Sequence, residues 1–345
     1  MRCIYNKSST ITTRSTVEKI FTKALSTAVG SEIRTKKMTK RNIILWLLCS
    51  CFVLAAGAGQ VRANGTLLVT SHDCEAYGGE AFVGTNMPVQ QDDDQSIHKN
   101  PAFAHGEKLT YVVSYKAGIN TDVAEVNFIT REVTFNGVKA FQIDANGRVY
   151  PFFRWFFDLN DSYYSTLDQK TLRPLELRSE ISEGKYRTSS KFTYDWKTKQ
   201  VHTWFRNHKR ETATVKTMPL SEVSYDAVAL FFNLRCEDAN SFKVGEVRTL
   251  EMVLSDTIRR INFRLAAREV RNIKGLGKFR TLKFVCELAT SSGESFKDGS
   301  EFTIWISDDR NKIPLYLESP IRVGSVRVRL LNVSNLKYPF SSKVK

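Results

Sequence analysis

Proline is scarce in this chain, 8 in 345 residues, and cysteine scarcer still at 6. So few prolines exclude a polyproline or collagen-like polymer, and so few thiols at this length exclude a disulfide-stapled mini-protein. Histidine is rarer again, with His72, His98, His105, His202 and His208 only. None of them shares the helical His-Glu-x-x-His spacing, and no cysteine spacing resembles a zinc site, so no metal is expected. There is no Gly-x-Ser-x-Gly elbow, and Gly275-Leu276-Gly277 is too short to cradle a phosphate. Nothing pairs two carboxylates as acid and base. No catalytic residue and no cofactor is expected.

What the chain does have is an excess of positive charge, formally +15. Its distribution removes the obvious meaning. Residues 1–63 carry 11 Lys/Arg against 2 Asp/Glu, whereas the rest holds 40 basic and 34 acidic side chains. Most of the excess lies outside the folded body, so no nucleic-acid partner is expected. Oligomeric state is not legible.

The same amino-terminal stretch reads as a secretory signal. Met38-Thr39-Lys40-Arg41 precedes an apolar run from Ile43 to Ala58, followed by Val61-Arg62-Ala63. A basic start, a short apolar core and a small-residue cleavage site are the parts of a signal peptide. Cleavage is expected after Ala63, or after Ala58, with Met38 as the true start. Cys51 is a poor lipidation site because the apolar run continues past it through Phe52-Val53-Leu54. The signal implies an exported mature chain. Three cysteines then remain, Cys74, Cys236 and Cys286, and Cys286 sits in an apolar run as a small buried hydrophobe. Residues 64–100, polar and glycine-rich, read as a flexible leader, and residues 101–340 as the folded domain.

From Leu109 onward, apolar and polar residues alternate with β-branched and aromatic enrichment, the mark of half-buried strands. The runs are Leu109–Tyr115, Val123–Phe135, Ala140–Val149, Tyr186–Tyr194, Val201–Phe205, Val247–Leu254, Ile258–Val270, Phe279–Leu288, Phe302–Ile306, Ile313–Leu317 and Val323–Val333. Turns are signalled at Asn136-Gly137, Glu183-Gly184, Lys297-Asp298-Gly299 and Asp308-Asp309-Arg310-Asn311. The Asp308 cluster lacks the spacing of a calcium loop and reads as a hairpin turn. The basic stretch Arg206 to Arg210 reads the same way. One helix is expected over Ser224–Arg235 with Ser224 as its cap, and a turn or two of helix over Pro151–Phe157. A faint repeat joins the halves: Pro174-Leu175-x-Leu177-x-Ser179-x-Ile181 with Gly184 matches Pro314-Leu315-x-Leu317-x-Ser319-x-Ile321 with Gly324, an offset of 140. Gly106-Glu107 and Gly245-Glu246 match at nearly the same offset.

Four segments together resemble a known family. They are Gly106-Glu107-Lys108-Leu109-Thr110-Tyr111, Asp161 to Ser165 with Asp168 to Pro174, Tyr225-Asp226 through Leu234-Arg235, and Trp305 to Asp309 with Ile313-Pro314 and Gly324-Ser325. Over about residues 101–335 the chain resembles the bacterial family catalogued as domain of unknown function 3108. The resemblance implies an exported envelope protein of a Gram-negative-type bacterium, in the periplasm or at the outer membrane, antiparallel β in architecture, with no established activity and hence no catalytic residues to carry over.

The fold class expected is all-β: curved antiparallel sheets forming a barrel-like or half-barrel domain, with one short helix and a pseudo-two-fold internal repeat. The expected function is a non-enzymatic envelope module binding a hydrophobic or polymeric ligand, a lipid or envelope polymer, on the curved sheet. An envelope-polymer hydrolase and a scaffold pairing through a sheet edge are the alternatives. The candidate ligand-binding residues are the aromatic block Phe152, Phe153, Trp155, Phe156 and Phe157. The same residues would otherwise serve as core that closes one end of a barrel, each contributing about 1.5–3 kcal/mol by burial alone.

Overall fold

The computed structural model describes residues 100–345, apart from 118, 156–157, 211, 289–300 and 321–323. The signal and leader segments, with Cys74, His72 and His98, and the turn at Lys297-Asp298-Gly299 lie outside the described residues. The strands are β1 (Lys108–Ala117), β2 (Ile119–Phe135), β3 (Val138–Val149), β4 (Asn160–Asp168), β5 (Pro174–Glu183), β6 (Tyr186–Asp195), β7 (Gln200–Asn207) and β8 (Thr214–Pro219). After β9 (Ser224–Tyr225) and helix α1 (Ala227–Leu234) come β10 (Val247–Val253), β11 (Ile258–Ile273), β12 (Gly277–Leu288), β13 (Glu301–Ser307), β14 (Pro314–Pro320) and β15 (Ser325–Ser334).

All fifteen form one curved, unclosed sheet, in the order β8-β7-β6-β5-β4-β3-β2-β1-β15-β14-β13-β12-β11-β10-β9. Every neighbouring pair is antiparallel except β9 with β10. The hairpin of β2 and β3 turns on Asn136-Gly137, both at positive φ (48° and 82°), the conformation a two-residue hairpin loop demands.

The offset of 140 has a counterpart in geometry. Gly106 and Gly245, both near φ +80°, precede β1 and β10 respectively. Leu172 and Lys312, 140 apart, are both left-handed (φ 57° and 46°) in the turns before β5 and β14. Each of those hairpins carries a register shift at its turn end, between Thr166 and Leu167 in one and Trp305 and Ile306 in the other. Thus β1–β6 and β10–β15 are two copies of one six-strand unit. The join is β1 with β15. At the other end β6 pairs with β7 rather than with β10, so the ring stays open.

The core lies on the concave side. Leu109, Tyr111 and Val113 of β1 face inward with Phe128, Phe141 and Ile143 of the neighbouring strands and Val326, Val328 and Leu330 of β15. Helix α1 fills the hollow: the Phe231 ring stacks on Phe128 at 5.2 Å, and Phe232 meets Phe103 edge-on at 5.0 Å. The helix starts later than the sequence suggests. Asp226 is the cap, its Oδ1 accepting from the Val228 and Ala229 N–H groups at 3.0 and 2.9 Å. Ser224 is instead in β9, because Ser224 and Tyr225 pair with Glu251 and Met252. That tertiary contact outweighs the capping preference of serine.

At the end of α1 the Arg235 side chain is fully buried and forms a two-point pair with the equally buried Glu107, at 2.6 and 2.9 Å. Its Nε donates to the Asn311 carbonyl at 3.1 Å, and its guanidinium lies 5.2 Å from the Phe232 ring. Burial pulls the guanidinium pKa down, and the Glu107 charge and hydrogen bonds more than restore it. Removing one charge strands the other in the core. Glu107→Gln is therefore expected to cost about 3–5 kcal/mol in urea melts. In a double-mutant cycle, Glu107→Gln with Arg235→Met should cost less than the sum of the two single changes.

Candidate functional site

Where the ring fails to close, the two edges meet by packing. The Val253 side chain and Ile258 sit against Leu177, Phe192, Val201 and Met218. Thr203 Oγ donates to the Ser255 carbonyl at 2.7 Å, and Lys216 Nζ to that of Asp256. So the tip of the β10–β11 hairpin is tied to β7 and β8, while the opposite end of β10 stands clear. There a cleft of about 270 Å³ opens between α1, β10 and β11. Its floor is apolar, from Tyr225, Leu230, Leu234, Phe242, Leu250 and Phe263. Its rim carries Glu222, Glu237 and Arg248.

The rim charges are largely engaged. Arg248 donates to the Ser241 hydroxyl and carbonyl, lies 4.4 Å from the Phe242 ring, and pairs with Glu246 at 3.5 Å. Glu222 pairs with Arg173 and with Lys199. Lys199 and then Arg173, outweighing partial burial, hold the Glu222 carboxyl below its ordinary pKa. A site of this kind holds an apolar group and orients it with a few polar ones.

Two carboxyls have strongly raised pKa values, and neither belongs to the cleft. Burial pushes Asp161 up to about 7, against the pull of the Ser182 N–H, 3.0 Å from its Oδ1. Burial likewise pushes Asp226 to about 6, against the bonds from Ala229, Ser165 and Val228. Both carboxylates are committed to main-chain N–H groups, which is a structural task. Close by, the buried Tyr194 hydroxyl makes no hydrogen bond within the described residues, and burial together with the Asp226 charge raises its pKa. The half-buried Ser189 hydroxyl lies 2.7 Å from Glu180 and 2.8 Å from His208. The serine is in the middle and gives its single proton to Glu180, so the imidazole is not placed as its base.

The aromatic block lies elsewhere, in the connection from β3 to β4. Pro151–Phe153 form one short 3-10 turn. Phe153 is buried in the main core, whereas Phe152 is 42% and Trp155 60% exposed. Phe156 and Phe157 lie outside the described residues. None of Phe152, Phe153 and Trp155 lines the cleft. The alternative reading of the whole block as core fails at Trp155. The cleft itself could not be read from sequence, since its walls come from scattered positions between Glu222 and Phe263.

The remaining histidines and polar clusters have ordinary surroundings. His105 accepts from the Glu132 N–H, and His202 faces Thr217 at 2.9 Å. Asp309 Oδ1 accepts from the N–H groups of Asn311 and Lys312, the self-bonded turn expected of that stretch. Lys209 and Arg210 likewise close a turn on Asn207. Cys286 is buried, which pushes its thiol up to about 12. Among the described residues no group of three or more His, Cys, Asp or Glu could hold a metal, and no helix is long and apolar enough to cross a membrane.

Comparison with family models settles the lineage. Residues 110–331 match the family described as protein of unknown function DUF3108. The chain belongs to this family. A search of curated proteins returned no match. Among solved structures, it is similar to a β-barrel-like protein of domain of unknown function DUF1849 from Brucella abortus, at 10% identity and a TM-score of 0.43. That likeness covers 68% of this chain and 99% of the other. A Bacteroides fragilis protein with a YmcC-like fold, described as exported, matches at 8% identity and a TM-score of 0.28, over 69% of this DUF3108 chain and 100% of the other.

Two predictions come from these surroundings. The Asp161 carboxyl binds its proton more tightly folded than unfolded, so it stabilises below about pH 4, and that stability is lost as pH rises through about 7. Between pH 5 and 8, urea melts of Asp161→Asn should show a smaller loss than wild type, by on the order of 2 kcal/mol. Phe153→Ala should cost about 3–5 kcal/mol, whereas Trp155→Ala should stay within about 1 kcal/mol. Equal losses at the two positions would contradict their unequal burial.

Proposed function

We propose that this DUF3108 protein is an exported, non-enzymatic binding module that takes an apolar ligand into the cleft on the concave side of its open sheet. The observation that carries the reading is the cleft itself. Six apolar side chains, Tyr225 and Phe263 among them buried, line a cleft beside the place where the ring of strands does not close. Elsewhere among the described residues the concave face carries its own core and α1. Export rests on the basic start, apolar run and Val61-Arg62-Ala63 of the amino-terminal segment. A lipid tail or an apolar stretch of an envelope polymer has the chemistry such a floor accepts.

The test is titration of the mature chain with Nile red, a neutral dye that brightens in apolar surroundings. Saturable binding is expected, and Leu234→Gln, which places an amide on the cleft floor, should weaken it about tenfold, the equivalent of about 1.4 kcal/mol of lost apolar contact. Urea melts of the same variant separate lost binding from lost folding. Absence of binding by wild type, or equal binding by a folded Leu234→Gln variant, would remove the cleft from consideration.

A further inference from the structure

The geometry points to an extended polypeptide segment as the ligand of the cleft, added as a strand to the free edge of β10. This rests on the cleft being the binding site and goes further by naming what fills it. The Glu251 N–H donates to the Val223 carbonyl at 2.9 Å, on the side of β10 away from β11. Main-chain groups alternate sides along a strand, so Val247 and Thr249 turn theirs the same way. Yet β9 is two residues long and pairs only with Glu251 and Met252. Among the described residues, the N–H and C=O groups of Val247 and Thr249 have no main-chain partner on that side. They are exposed hydrogen-bonding groups beside an apolar floor.

The sheet has a second edge, β8, and the contrast is informative. That strand is guarded in the usual ways, by Lys216 in its middle and Pro219 at its end. From Val247 to Leu250 the β10 edge has neither lysine nor proline, and its one charge, Arg248, is turned to Ser241 and Glu246. Strand addition takes its affinity from main-chain hydrogen bonds and its selectivity from pockets for alternate side chains. Here Phe242, Phe263 and Leu234 supply such pockets. Charge argues in the same direction. The Arg248 guanidinium is already held by Ser241, Phe242 and Glu246, and Glu222 by Arg173 and Lys199. A fatty-acid carboxylate would have to break one of these bonds to find a cation, whereas an uncharged main chain finds its partners open.

The probe is a labelled, capped heptapeptide alternating leucine and threonine, titrated by fluorescence anisotropy against the mature chain, with Nile red run in parallel. Binding is expected, and a copy N-methylated at alternate residues should bind at least tenfold more weakly. Thr249→Pro removes an edge N–H while leaving the ladder to β11, which the even-numbered residues make. It should weaken the peptide at least tenfold in a chain whose urea melt stays cooperative. Amide exchange at Val247 and Thr249 should slow when the peptide is added. Equal binding of the N-methylated copy would overturn the inference. So would amides at Val247 and Thr249 already protected before any peptide is present, since another part of the chain would then hold the edge. If Nile red binds and the peptide does not, strand addition falls and the binding module stands; if neither binds, both fall.

Discussion

A guanidinium taken wholly out of water has to find its hydrogen bonds inside the protein, and Arg235 finds them on stretches of chain that are distant in sequence. Glu107, just before β1, takes two of its donors, and the carbonyl of Asn311, between β13 and β14, takes a third. The planar fork suits a carboxylate in a way a lysine ammonium does not. The network then spreads. The Asn311 side chain donates to the carbonyls of Tyr338 and Pro339 and accepts from the Tyr338 N–H, while Asp309 accepts from Ser342. One buried charge thereby fixes the end of the helix, the entry of the first strand, a hairpin of the second copy and the carboxyl-terminal segment relative to one another. Hydrophobic contacts tolerate small slides; this arrangement does not.

The internal repeat explains why that charge occurs only once. Glu107 and Glu246 occupy equivalent positions after equivalent glycines, yet Glu107 is buried against Arg235 and Glu246 lies exposed beside Arg248. The copies share a backbone and differ in what is placed on them. The elements β7, β8, β9 and α1, which have no counterpart in either copy, lie between the two copies in sequence and gather around the unclosed end of the sheet. The same insertion that fills the hollow with a helix also keeps β6 from meeting β10. Core and cleft are two results of one event.

How much of this was legible follows from where each interaction is encoded. Strands such as β3 and β11 alternate visibly, because one face is apolar and the other is not. The segments Asn160–Asp168 and Pro174–Glu183 do not, since Asp161, Ser165, Ser179 and Glu183 are themselves buried, and hydrophobic periodicity is blind to a polar interior. Serine and aspartate both cap helices well, and only the pairing of Ser224 with Glu251, invisible in sequence, leaves the cap to Asp226. Arg235 looked like an ordinary residue at a helix end, with nothing local to announce its burial. The aromatic block was visible as composition, but composition could not say that Phe153 turns inward and Trp155 outward.

The two-residue strand β9 has a further meaning, which lies in parity. A ring of strands in which every neighbour runs antiparallel must contain an even number, as alternating colours on a closed necklace require an even number of beads. This sheet has fifteen. Were it drawn shut, one pair would be forced to run parallel, and the parallel pair present is β9 with β10. Without β9, the directions of β8 and β10 would already be compatible with closure. The shortest strand among the described residues thus absorbs the odd count at the rim: strand direction would allow the ring to close with β9 or without it, so it is side chains, not polarity, that hold the ring open.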